Sequence, residues 1–151
     1  MKIRVVAIGR SMPDWMGRGW KEYARRLPRQ IELELVEVQS PRGGSQAGGR
    51  EGRALIQRAP RPGTRVALHE RGTCWSTRDV ADRLERWMMH GDAVSLLIGG
   101  ASGHSDELLD ACDACWSLGP LTFPHMLVRV ILAEQIYRAW TVVSGHPYHR
   151  A

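Results

Sequence analysis

The chain has 151 residues, 43% of them hydrophobic and 25% charged, the balance of one soluble globular domain built on one core. A formal net charge of +5 favours a polyanionic partner through phosphate attraction and counterion release. No apolar stretch reaches the roughly 20 residues that a bilayer span requires, three cysteines are too few and odd for a disulfide framework, and an opening on a strand-like segment instead of a signal leaves a cytoplasmic protein as the expectation.

Residues 3 to 9, an apolar run ended by Gly9, predict a buried strand of a parallel sheet. Asp14 is placed to cap a following helix, in which Met16, Trp20, Tyr23 and Leu27 recur at helical spacing until Pro28. Leu33, Leu35, Val36 and Val38 mark a second strand. From Ser40 to Gly52, glycine, serine and arginine predict a solvated loop, followed by a short helix around Arg53 to Arg58 that Pro60, Pro62 and Gly63 close.

Arg65 to Glu70 predicts a third strand, and Ser76 caps the next helix, whose apolar face is Val80, Leu84, Trp87 and Met88 and whose stop is Gly91. Val94 to Gly100 reads as a strand feeding the glycine loop Gly99 to Gly103, after which Ser105 caps a helix. Cys112 and Cys115 fall in that helix on this reading; without a second pair at zinc spacing they are two small core residues, and no metal site is expected. Gly119 and Pro120 interrupt a short segment from Ser117 to Phe123, and Pro124 opens a helix from about His125 to Ser144 that Gly145 ends. That helix is apolar almost all round, which predicts burial by the sheet on one side and by a second subunit on the other.

Alternating strands and helices give a three-layer α/β domain with a mainly parallel sheet, residues 1–151 forming a single domain. Ligands of such sheets bind beyond the carboxyl ends of the strands, which places Leu68, Gly99 and the 118–123 segment together. The first strand lacks G-x-G-x-x-G, and no Walker, G-x-S-x-G or H-E-x-x-H motif occurs, which disfavours dinucleotide, nucleotidase, esterase and zincin chemistry.

The last quarter concentrates polar groups: His125, Arg129, Glu134, Arg138, His146, Tyr148, His149 and Arg150. Glu134 and Arg138, four apart, suit a helical ion pair. Arg129 and His125, also four apart, are placed to hold phosphate near a helix start. The His-Pro-Tyr-His-Arg tail suits stacking on a base and contacting phosphate.

Met12-Pro-Asp-Trp15, Tyr23-Ala-Arg-Arg26, Leu96-Leu-Ile-Gly-Gly100, Pro124-His125 with Leu127-Val-Arg129, Ala133-Glu134, Tyr137-Arg-Ala-Trp140 and His146-Pro-Tyr-His-Arg150 together resemble the ribosomal RNA large subunit methyltransferase H family of the SPOUT superfamily. The resemblance runs from the first strand to the last residues. It implies a homodimer whose C-terminal segment is threaded into a deep trefoil knot. The implied activity is transfer of a methyl group from S-adenosylmethionine to N3 of a pseudouridine in helix 69 of 23S ribosomal RNA, on assembled ribosomes, with no DNA or membrane partner. Carried onto this chain, it makes Leu68, Gly99, Leu118, Gly119, Pro120, Leu121, Thr122 and Phe123 the contacts to the methyl donor. Glu134, His149, Tyr148 and Arg138 become candidates for the catalytic chemistry, and His125, Arg129 and Arg150 for RNA binding. The chain departs from the family pattern in its glycine-rich stretch from Ser40 to Gly63. Two rival readings are a basic ribosome-binding factor without catalysis and a knotted enzyme that methylates a ribose hydroxyl.

Overall fold

The computed structural model describes residues 1–41 and 47–150. Five strands, β1 (Lys2–Ile8), β2 (Glu32–Val38), β3 (Thr64–Cys74), β4 (Val94–Ile98) and β5 (Ala114–Ser117), form one sheet in the order β2-β1-β4-β3-β5. Every recorded pairing is parallel. The helices are α1 (Asp14–Ala24), α2 (Ala47–Gln57), α3 (Thr77–His90), α4 (Asp106–Asp110) and α5 (His125–Ser144), and a 3-10 turn (Pro147–His149) follows α5.

Strand alternation sorts the core into two halves. Ile3, Val5 and Ala7 of β1 and Leu96 and Ile98 of β4 join Trp20 of α1, Leu84 of α3 and Leu132 and Ile136 of α5. Val6, Ile8 and Leu97 point the other way, onto Leu55 of α2 and Leu108 of α4. The sheet is thus covered on both faces, as a parallel sheet requires, and the three-layer α/β reading holds.

Helix ends follow the sequence where capping chemistry decides them. The Ser76 hydroxyl accepts from the Asp79 amide and the Asp79 carboxylate from the Ser76 amide, a reciprocal capping box. Ser105 caps α4 through the Leu108 amide. Gly91 and Gly145 close α3 and α5 with φ of 78° and 74°, the left-handed geometry expected of them.

Four expectations are corrected. Pro13, not Asp14, is the N-cap of α1, and no side chain bonds there; Asp14 is the first helical residue. The loop predicted from Ser40 to Gly52 is helical from Ala47, so α2 is longer than the short helix around Arg53 to Arg58; residues 42–46 lie outside the described residues. Cys112 and Cys115 do not share a helix, because α4 ends at Asp110 and Cys115 belongs to β5. β5 itself lay unread within the segment assigned to the helix after Ser105.

The third strand is also longer than its apolar run. Its ladder with β5 shifts register between Leu68 and Thr73, a bulge that throws His69, Glu70 and Arg71 out of the pairing at the carboxyl edge of the sheet. Gly72 makes this possible: a Cβ there would sit 2.7 Å from the Cys115 carbonyl carbon and oxygen. No other residue type fits that approach.

Candidate methyl-donor cleft

A cleft of about 650 Å³ opens beyond the carboxyl ends of β3, β4 and β5, a volume within the range of small-molecule sites. Three bends build its walls: Leu68 to Arg71 from the bulge of β3, Ile98 to His104 after β4, and Trp116 to Phe123 after β5. Leu68, Gly99 and the whole of Leu118 to Phe123, grouped by sheet logic in the sequence, are therefore brought to one place. His69, Glu70, Arg71 and His104 join them, and sequence reasoning missed all four. The bulge that projects the first three leaves no periodic signal, because β-bulges are set by pairing with a distant strand.

Glycines and apolar residues make up most of the lining, with the Ser117 and Thr122 hydroxyls, the His69, His104 and His125 imidazoles, the Glu70 carboxylate and the Arg71 guanidinium as its polar side chains. This donor set suits a flat base and an amino-acid moiety: carbonyls and amides for ring edges, a cation and an anion for a carboxylate and an ammonium. The residues present thus fit S-adenosylmethionine. The His69 and His104 rings stack at 6.3 Å. His104 Nε2 lies 3.1 Å from the Leu97 carbonyl oxygen, which makes it the protonated nitrogen. Burial holds the His104 imidazole below the ordinary histidine range, partly offset by its bond to Leu97. His125 is likewise lowered, by burial first and by the Arg129 charge second.

Arg129 corrects an expectation. Its side chain is wholly inaccessible, with one terminal nitrogen donating to Glu37 Oε2 at 2.8 Å and the other to the Ile8 and Gly9 carbonyls at 3.1 and 2.7 Å. It ties α5 to the ends of β1 and β2 and presents no face to phosphate in this chain. His125 does line the cleft. Arg150 is exposed at the end of the tail.

The tail chemistry assembles elsewhere. Glu134 Oε1 accepts from Arg138 Nε at 2.8 Å and from the Tyr148 hydroxyl at 3.1 Å, while Oε2 accepts from Gln135. The predicted Glu134–Arg138 ion pair is present at 2.6 Å. Tyr148 packs on Tyr137 with ring centroids 4.7 Å apart. Burial, with Tyr23 and Glu134 adding, pushes the Tyr148 phenol up to about 12, so it stays protonated at neutral pH and serves as a donor. His149 is half-buried, with Nδ1 enclosed and without a hydrogen-bond partner among the described residues. None of these four residues lines the cleft of its own chain.

A parallel sheet with a cleft at its carboxyl edge defines an α/β ligand-binding fold, and the match to known proteins specifies the class. Residues 1–149 match the family described as predicted SPOUT methyltransferase, and the chain belongs to that family. It is similar over its whole length to ribosomal RNA large subunit methyltransferase H of Hahella chejuensis, at 44% identity over 155 residues covering 99% of each chain. The protein of that name from Pseudomonas aeruginosa strain UCBPP-PA14 is 45% identical over 156 residues, covering 99% of this chain and 100% of its own. These relatives uphold the family read from the motifs. Among solved structures, the fold resembles a probable methylase family protein from Haemophilus influenzae Rd KW20, with a TM-score of 0.61 at 13% identity over 99% of this chain and 70% of that one. A putative methylase family protein from Neisseria gonorrhoeae gives 0.56 at 14% identity over 89% and 81%.

Proposed function

We propose that this protein methylates ribosomal RNA with S-adenosylmethionine, and that its target is N3 of a pseudouridine in helix 69 of 23S ribosomal RNA on assembled ribosomes, in the cytoplasm. The observation that carries the reading is the cleft: three bends at the ends of adjacent parallel strands, walled by the residues that the family resemblance assigns to the donor. The whole-length likeness to proteins named ribosomal RNA large subunit methyltransferase H supports the substrate, and the excess of arginine supports a phosphate-rich partner.

S-adenosylmethionine supplies an electrophilic methyl carbon, so the protein's part is to hold the base in line with it and to ease loss of the N3 proton. Glu134 has its oxygens engaged by Arg138, Tyr148 and Gln135 and serves to fix the tail. In this reading Tyr148 and Arg138 are the donors that stabilise negative charge on the ring, and His149 is the base candidate, its Nδ1 without a hydrogen-bond partner among the described residues. Arg150 and His125 contact RNA.

Because the tail cluster lies away from its own cleft, the working unit is a homodimer in which one subunit's tail completes the other's site. Large apolar groups left exposed on one chain support this: Leu121, on the cleft rim, is 72% exposed and Trp15 is 58% exposed. A trefoil knot around the 98–104 and 116–123 bends belongs to the same proposal.

The test is to incubate the protein with methyl-labelled S-adenosylmethionine and either free large-subunit RNA or intact ribosomes from a strain lacking the activity, then to map the label. Label on a helix 69 base, in ribosomes and not in free RNA, is expected. Label on a ribose, or none, overturns the reading.

A further inference from the structure

One buried charge near the cleft has no part in the chemistry above. Glu51, on α2, is 3% exposed. Its Oε1 accepts from the Ser40 hydroxyl at 3.0 Å, whereas Oε2 is buried without a hydrogen-bond partner among the described residues. An ionised carboxylate is among the costliest groups to bury unpaired, and a purely structural role would be better served by glutamine or an apolar residue. Two cationic side chains described near the cleft do not answer it. Arg129 is matched by Glu37, and His125 is held low by burial and Arg129, with Glu51 only opposing, so it is neutral at neutral pH.

The group that Glu51 does meet is the bend after β4. A Cβ on Gly100 would lie 3.2 Å from Oε1 and 3.4 Å from Oε2, so the bare glycine lets the carboxylate lie against this backbone. Gly100 in turn lines the cleft. The charge is therefore set behind the cleft wall, out of water, where its field is poorly screened.

We propose that Glu51 is a positioning residue for the methyl donor, its carboxylate behind Gly100 favouring a ligand with a cationic sulfonium over the uncharged thioether left after transfer. The proposal rests on the reading of the cleft as the donor site. It explains why a carboxylate with one oxygen unbonded among the described residues is kept in the interior: the compensating charge arrives with the ligand. Methyl transfer removes that charge, which weakens the hold on the product.

The test is calorimetric titration of S-adenosylmethionine and of S-adenosylhomocysteine into the wild-type protein and Glu51→Gln, with thermal unfolding of both proteins. Glutamine keeps the shape and removes the charge. The expected result is about a tenfold loss of donor affinity with product affinity unchanged and no fall in Tm. Equal weakening of both ligands, or of neither, overturns the proposal. Failure of the wild-type protein to bind either ligand overturns the reading of the cleft, and the proposal with it. Should Glu51→Gln not fold, Glu51→Asp, which retains the charge, is expected to keep the preference for donor over product; loss of that preference overturns the proposal.

Discussion

Replacing Arg129 by alanine separates a structural arginine from an RNA-binding one. The guanidinium fills three hydrogen bonds, two of them to the Ile8 and Gly9 carbonyls at the end of β1. Deleting it leaves those acceptors without a donor, at about 1–3 kcal/mol each for a buried group. The Glu37 carboxylate is 35% exposed and rehydrates, so its loss adds little. The sum, about 2–6 kcal/mol, spans the cost of breaking a buried ion pair. At about 2–4 °C per kcal/mol for a chain of this size, Tm should fall by about 4–24 °C, read by calorimetry or circular dichroism. Arg129→Lys should fall between the two, because one ammonium cannot reach both strand ends in the same geometry. A Tm within about 2 °C of wild type, together with weakened ribosome binding, would refute the reasoning and return Arg129 to the RNA surface.

Ser76→Ala should cost about 1 kcal/mol of stability by removing the α3 cap, measured by urea unfolding, with no change in donor affinity. Burial lowers the His104 and His125 imidazoles below their unfolded value of 6.5. Their contribution to stability is therefore fully present above pH 6.5 and is lost as pH falls towards the folded values, where the unfolded chain binds more protons. His104→Asn should flatten the fall in Tm between pH 7 and the acid side. Glu134→Ala should lower the Tyr148 phenol from about 12, seen in a spectrophotometric titration, and should loosen the tail to carboxypeptidase; an unmoved phenol would show that Glu134 does not hold it.

The sheet and its caps were legible because local chemistry and tertiary packing agree there. β1 and β4 are short apolar runs ended by glycine, and Ser76, Gly91 and Gly145 act within one turn of their own helix. α2 was not legible, because its glycines read as loop. Gly52 shows why the helix forms anyway: a Cβ there would sit 2.9 Å from the Ser105 hydroxyl oxygen and 3.3 Å from Leu108 Cβ, so glycine is what lets α2 pack on α4. Tertiary contact overrides propensity at that position. β5 has only four residues, Ala114–Ser117, too few to show a period, and the absence of that strand carried both cysteines into a helix.

The candidate site divides in the same way. Its glycine bends could be placed because strand order and ligand position are linked in parallel sheets. The His69–Arg71 wall could not, since it depends on a bulge imposed by β5. Spacing revealed the Glu134–Arg138 pair, yet gave no means of telling that Arg129, on the same helix, turns inward to close off β1.

The central claim is that the three bends form the methyl-donor site, and an amide nuclear magnetic resonance titration with S-adenosylmethionine tests it most directly. The largest shifts should fall on residues 68–71, 98–104 and 116–123 and saturate together. Shifts concentrated on another face of the sheet, or none at saturating donor, would contradict it.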